Sequence, residues 1–204
     1  MYDIKYILGI TAVLLTFIGY TPYIRDTIKG KTHPHVYSWF LWGLLTCIVF
    51  ALQISDGAGI GAYVTLAAGI MCLTVFSFGL KNKDGRDITK IDTIFFVFAF
   101  ISLGFWLILK QPIASAILIT SIDLLGLAPT IRKSWNKPYS ETLSFYILNI
   151  LRFILTVASL QAYTIITSIY PVTWLFANTL FALMLFIRRK QLKNQIADTD
   201  SITR

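Results

Sequence analysis

Seven long apolar runs, separated by short polar loops, are the feature of this sequence that most limits its fold. Because a bilayer core about 30 Å thick needs about 20 apolar residues in a helix, each run is predicted to cross a membrane. Charged residues make up only 14% of the chain, whereas a soluble domain carries roughly a quarter. The predicted spans are Ile4–Ile24, Val36–Ile54, Ala58–Leu80, Thr93–Leu109, Ile113–Ile131, Thr142–Tyr163 and Ile165–Ile187.

The charges of the loops predict the orientation in the membrane. Lys and Arg residues in short loops stay on the cytoplasmic side. The first, third and fifth loops and the tail are basic, the second and sixth have no Lys or Arg, and the fourth has Lys110 alone. We therefore expect the N-terminus outside and the C-terminus in the cytoplasm, in the plasma (inner) membrane. The net charge of +8 forms no continuous basic face, which argues against nucleic-acid binding.

A repeated stretch divides the chain into two similar parts. Pro22 recurs as Pro129, 107 residues later (129 − 22 = 107), and each proline is followed by an Ile and a basic residue. With three helices in each copy, one linking span is needed for both copies to point the same way. The expected fold is all-α, with two parallel three-helix repeats. Its parts are residues 1–80 (first repeat), 81–111 (cytoplasmic loop and linker helix), 112–190 (second repeat) and 191–204 (polar, disordered cytoplasmic tail).

This three-plus-one-plus-three plan resembles the SWEET and PQ-loop (MtN3-like) superfamily, in a divergent bacterial-type form. The resemblance rests on G-Y-T-P-Y-I before the first basic loop and G-L-A-P-T-I before the fifth. It implies alternating-access transport of a small polar solute. Downhill transport and proton-coupled transport are both compatible with the resemblance. It also implies that Asn178 matches an asparagine of the seventh helix at the SWEET substrate site.

Asp123 and Arg152 are the two ionisable residues that lie deep in predicted spans. Each is about ten residues from a span end, hence roughly 15 Å deep at 1.5 Å per residue. A charge at that depth is costly unless it is paired or hydrated, and by default it marks a functional site. A structural ion pair between the fifth and sixth helices is the alternative.

Polar and aromatic residues at helical spacing accompany these charges. Amides and an Arg between aromatic walls suit a polar solute with a carboxylate or several hydroxyls, although packing or an interfacial belt would also explain the tryptophans. The two prolines are interpreted either as hinges of an inner gate or as simple helix ends. The predicted binding residues are Asp123, Arg152, Asn149, Asn178, Tyr146, Trp42 and Trp174, with Pro22 and Pro129 at the gate.

Other function classes are less well supported by the sequence. We find no catalytic constellation and no metal-ligand spacing, so neither an enzyme nor a cofactor is predicted. A membrane receptor or sorting protein that binds a peptide or small ligand on a similar scaffold remains the alternative. One chain with both repeats can form a complete pathway, so a homo-oligomer is open but not required.

Overall fold

The computed structural model describes residues 2–29, 36–80, 90–127, 131, 134–136, 138–141 and 143–202. These residues form helices and no strands, which confirms the all-α prediction. Seven α-helices of 14 residues or more are described, with a short 3-10 turn at Pro138–Ser140. The helices are α1 (Tyr2–Ile28), α2 (Val36–Ser55), α3 (Ile60–Gly79), α4 (Lys90–Leu107), α5 (Pro112–Leu125), α6 (Leu143–Ser159) and α7 (Ile165–Ile202).

Three of the described helices are long and apolar enough to cross a membrane: Ile4–Ile28, Ile60–Gly79 and Ile165–Lys193. Their outward faces carry large apolar side chains such as Ile7, 63% exposed, and Leu180, 66% exposed. An apolar surface of this extent needs a partner other than water. The chain therefore has the character of a helical protein embedded in a membrane.

The fifth helix is shorter than the sequence predicts. The predicted span reached Ile131, but α5 ends at Leu125 and is about 21 Å long at 1.5 Å per residue. Its end is closed by a turn in which the backbone N–H of Gly126 donates to Ile122 O at 3.1 Å. A Cβ at Gly126 would lie 3.0 Å from Trp42 Nε1. The glycine thus lets the indole of α2 approach the end of α5.

The C-terminal tail differs from its prediction as well. The segment from Gln191, expected to be disordered, continues α7 as helix to Ile202. It is rich in good helix formers and has neither Gly nor Pro, so nothing in it ends a helix. Two arginines of α7 hydrogen-bond the segment that precedes α6. Arg188 Nε donates to Trp135 O at 3.0 Å, and Arg189 Nε donates to Pro138 O at 3.0 Å.

The helices pack in the same order in both halves of the chain. In the first half α3 contacts both α1 and α2, and in the second half α7 contacts both α5 and α6. The halves meet where α1 packs on α6 and α2 packs on α5, while α4 packs mainly on α5. The interface between the halves is therefore formed mainly by α1 on α6, with smaller contacts of α2 and α3 with the second half.

Small residues of α3 allow close contacts with neighbouring helices. A Cβ at Gly69 would lie 3.1 Å from Cys47 Sγ of α2. A Cβ at Gly61 would lie 2.8 Å from Leu160 Cδ2 and 3.3 Å from Leu160 Cα, at the end of α6. Gly61 is thus crowded by backbone as well as side chain.

We expect Gly61→Ala to lower the free energy of unfolding by about 1–3 kcal/mol, the usual effect of overpacking a tight contact. Gly104→Ala is the matched control, because nothing lies within 4 Å of a Cβ at Gly104. Thermal unfolding of the two variants in the same detergent measures the difference. Equal melting temperatures would show that the α3–α6 contact is not close-packed.

Candidate functional site

Asp123 of α5 is buried at 2% exposure between the two halves, and one of its two oxygens is well bonded. Its Oδ2 accepts hydrogen bonds from Tyr170 Oη and Trp174 Nε1, each at 2.9 Å. Both donors lie on α7, one turn apart, so they fix the orientation of the carboxylate. Its Oδ1 is buried and has no hydrogen-bond partner among the described residues.

Arg152 of α6 is the second buried charge, at 6% exposure. Its guanidinium carbon lies 4.1 Å from the centroid of the Phe153 ring. Its Nε is buried without a hydrogen-bond partner in the described part of the chain. The cation is therefore held beside an aromatic ring, with a donor still unused.

Asp123 and Arg152 do not form the structural ion pair that the sequence left open. Within the described ranges the ion pair is Arg25–Asp26, on the surface of α1. The Oδ2 atom of Asp123 is instead bonded by two neutral donors on α7, Tyr170 Oη and Trp174 Nε1. Tyr20 of α1 and Cys72 of α3 are two further buried groups, and they are neighbours of each other.

Further buried polar groups lie on α1, α2 and α3. Tyr20 Oη and Cys72 Sγ are hydrogen-bonded at 3.6 Å, joining α1 to α3. Thr46 of α2 is 3% exposed, and its Oγ1 donates to Trp42 O at 2.6 Å within the same helix. Six helices thus contribute to what we call the central polar cluster: Tyr20, Thr46, Cys72, Asp123, Arg152, Tyr170 and Trp174.

The other predicted binding residues surround this cluster without all entering it. Asn178 is 4% exposed, and its Nδ2 donates to Trp174 O at 2.7 Å within α7. Asn149 is buried on α6, one turn before Arg152. Trp174 stacks on Phe153 at 6.5 Å between ring centroids. Tyr146 points away, since its hydroxyl donates to Glu141 Oε2 at 2.9 Å.

One end of the bundle, which we call the α1–α2 end, is closed over the cluster by aromatic rings. Tyr20 makes an edge contact with Trp39 at 6.2 Å and with Phe145 of α6 at 6.0 Å between centroids. Trp39 also packs edge-on against Trp42 at 5.4 Å. The contact of Tyr20 with Phe145 joins the two halves at this end.

Pro22 lies next to this aromatic layer. Helix α1 runs through Pro22 and ends at Ile28, so the alternative that Pro22 simply ends the helix does not hold. A proline inside a helix removes the hydrogen bond to the carbonyl four residues earlier, here that of Ile18. The hinge interpretation therefore remains for Pro22, while Pro129 lies outside the described residues.

The opposite end, which we call the α2–α3 end, is closed by polar contacts between the halves. Lys5 Nζ donates to Leu160 O at 2.5 Å, and Gln161 N donates to Ala58 O at 3.0 Å. The hydroxyl of Thr164 donates to Asp56. The α2–α3 connection is thus bound directly to the α6–α7 connection.

A proline explains one further contact at the α2–α3 end. Pro171 lies inside α7 and leaves the carbonyl of Thr167 without its helical N–H partner. The buried Gln53 of α2 supplies the missing donor, since its Nε2 donates to Thr167 O at 3.0 Å. The backbone carbonyl that Pro171 leaves unpaired in the second half therefore receives its hydrogen bond from the first half.

Tyr170 is the main site residue that the sequence analysis missed. The predicted pair Trp174 and Asn178 lies at a four-residue spacing on α7, and Tyr170 precedes it by the same spacing. Residues four apart share a helix face, so extending the stripe by one turn would have found it. Tyr20 and Cys72 gave no such signal, because only the packing order brings α1 and α3 to the cluster.

The arrangement places an anion, a cation and hydroxyl groups in the buried core, beside aromatic rings. That is the chemistry of a binding site for a small polar solute. No group of three or more His, Cys, Asp or Glu side chains that could hold a metal ion occurs in the described ranges. No family model, curated protein or solved structure matches this chain.

Proposed function

We propose that this protein is a SWEET-like membrane transporter that moves a small polar solute by alternating access. The observation that carries the proposal is the central polar cluster, where a buried carboxylate and a buried guanidinium each keep an unused polar atom at the junction of two similarly packed halves. The proposed topology is the seven-span one, with the N-terminus outside, the C-terminus in the cytoplasm and the two halves as parallel repeats.

The cost of burying these groups favours a functional role. A charged side chain near the middle of a membrane costs at least about 2.5–3.5 kcal/mol and is rarely kept without a task. The charges of Asp123 and Arg152 do not neutralise each other in direct contact, so a purely structural role leaves much of this cost unexplained. A solute that bonds Oδ1 of Asp123 and Nε of Arg152 would offset it.

The contacts at the two ends suit a rocking motion of the halves. At the proposed outer, α2–α3 end, a few hydrogen bonds join the halves, among them Lys5 to Leu160 and Gln53 to Thr167. At the proposed inner, α1–α2 end, the contact of Tyr20 with Phe145 joins them. In the proposed motion these end contacts break in turn, with Pro22 as the hinge of the inner gate, and the extensive packing of α1 on α6 rearranges with them.

Closure at both ends also weighs against the receptor alternative. A receptor for a peptide needs a site that stays open to one side of the membrane. Here the cluster has contacts between the halves on both sides, formed by Tyr20 and Phe145 at one end and by Asp56 and Thr164 at the other. A small solute that is enclosed during transfer fits this arrangement better.

Asp123 is the proposed proton carrier, if transport is coupled to protons. We expect Asp123→Asn to abolish the pH dependence of uptake while the protein stays folded, because the amide keeps the shape but cannot exchange a proton. The measurement is uptake of radiolabelled sugars, amino acids, nucleosides and small carboxylates into proteoliposomes at two pH values. Asp26→Asn, the same change at the surface, should behave like the wild type.

Two outcomes would count against this role of Asp123. Loss of the folded protein in Asp123→Asn, judged by gel filtration and thermal unfolding, would make the carboxylate structural. An unchanged pH dependence in a folded Asp123→Asn protein would move proton coupling to another group.

A cross-link at the α2–α3 end tests alternating access and orientation together. In a protein with Cys47 and Cys72 replaced by Ser, we expect Asp56→Cys with Thr164→Cys to be joined by a short, membrane-impermeant thiol cross-linker added outside. Because the halves could then not separate, uptake should fall by at least about tenfold and recover on reduction. Each single-cysteine variant is the control. Unaltered uptake in the fully cross-linked protein would refute gating at this end.

A further inference from the structure

We propose that Gln53 of α2 is a positioning residue that holds a movable segment at the start of α7. This gate segment, residues 164–170, turns about Pro171 and links the α2–α3 end of the bundle to Asp123. The gate rests on the proposed function and deepens it, because it assigns the opening of the outer end to one part of the chain. Three contacts of the segment and the proline that follows it carry the assignment.

The gate segment has hydrogen bonds of its own at its first turn and lacks one where it joins the rest of α7. Thr167 N donates to Thr164 Oγ1 at 3.2 Å, and Thr164 N donates to Thr167 Oγ1 at 3.0 Å. Such a reciprocal cap satisfies the first donors of a helix. Pro171 has no N–H, so the helical bond to Thr167 O is missing. Prolines inside helices are where sharp bends occur, and the segment can therefore move as a unit about this point.

Two hydrogen bonds hold the gate segment on the first half of the chain. The hydroxyl of Thr164 donates to Asp56 in the α2–α3 connection. Gln53 Nε2 donates to Thr167 O at 3.0 Å. The second bond depends on the proline, because Thr167 O is the carbonyl that Pro171 leaves without its helical partner.

The surroundings of Gln53 indicate that this bond is the reason for an amide at position 53. The side chain is fully buried, and its Oε1 has no hydrogen-bond partner among the described residues. A buried polar atom without a partner costs free energy, so packing alone would favour an apolar side chain. An apolar side chain of the same length could not donate to Thr167 O.

The other end of the gate segment reaches the buried carboxylate. Tyr170, directly before Pro171, donates from its Oη to Asp123 Oδ2 at 2.9 Å. Trp174, beyond the proline, donates from its Nε1 to the same oxygen at 2.9 Å. A turn of the segment about Pro171 carries Tyr170 with it and leaves Trp174 in place. Opening of the outer end therefore removes one of the two donors of Asp123, which couples the gate to the proposed proton carrier.

Pro171→Ala tests the hinge, because it supplies the missing N–H to Thr167 O and makes the gate segment continuous with the rest of α7. The parent protein is Thr46→Cys with Cys47 and Cys72 replaced by Ser, in vesicles of each orientation. The readout is the rate at which an impermeant thiol reagent modifies the single cysteine. We expect Pro171→Ala to slow modification from outside at least about tenfold. Modification from inside should stay at least as fast.

Gln53→Met tests the positioning residue and should act in the opposite direction. The closed segment is held less firmly without its donor, so modification from outside should become about two- to tenfold faster, the range given by the net value of one hydrogen bond. In a Pro171→Ala protein the backbone supplies that donor. There Gln53→Met should change neither the modification rate nor the melting temperature in detergent. A side chain that only fills space would not depend on residue 171 in this way.

Two matched control variants lie at the start of α5. Pro112 is the first residue of that helix, where a proline removes no helical hydrogen bond. Gln111 is exposed and makes no side-chain cap. Pro112→Ala and Gln111→Met should therefore leave modification from both sides unchanged.

The outcomes separate the gate from the proposed function. If the parent is modified from both sides and a folded Pro171→Ala protein shows the same rates, or equal slowing from both sides, the gate is overturned and alternating access stands. Loss of the folded protein in Pro171→Ala would make the bend a requirement for folding and likewise overturn the hinge. An effect of Gln53→Met on melting that is as large with Pro171→Ala as without it would refute the role of Gln53. Modification of the parent from one side only would refute the proposed function, and the gate with it.

Discussion

The burial of two unpaired charges, Asp123 and Arg152, is the constraint on which the rest of this structure depends. Charges at mid-membrane cost at least about 2.5–3.5 kcal/mol each, so the pair costs a large part of the roughly 5–15 kcal/mol that stabilises a typical protein. Two donors from α7 bond the carboxylate, and the ring of Phe153 lies against the guanidinium. These contacts reduce the cost, and one polar atom of each charged group is left without a partner among the described residues.

The two halves hold this centre through contacts that differ from one end to the other. Aromatic edges such as that of Tyr20 on Phe145 join the halves at the α1–α2 end, and hydrogen bonds such as that of Gln53 to Thr167 join them at the α2–α3 end. Within each half, by contrast, the third helix packs along both of its neighbours. Because α1 also packs on α6 as extensively as α6 packs on α7, a rocking motion of the halves would have to rearrange the α1–α6 contact.

Much of this could be predicted from sequence, and the exceptions have physical reasons. Long apolar runs predicted the helices, and a charge deep in an apolar run identified Asp123 and Arg152. Helix ends were less predictable: α5 ends at Leu125, where Gly126 lies close to Trp42, a tertiary contact that hydropathy does not encode. The separation of Asp123 from Arg152 was also hidden, because it depends on α7 presenting Tyr170 and Trp174 to the carboxylate.

The central claim is that the polar cluster is reached in turn from both sides of the membrane. The most direct measurement places a single cysteine at Thr46, a side chain of the cluster, with Cys47 and Cys72 replaced by Ser. Its rate of modification by an impermeant thiol reagent is then compared in right-side-out and inside-out vesicles. We predict modification from both sides, slowed by bound solute. Modification from one side only would contradict alternating access and favour a receptor.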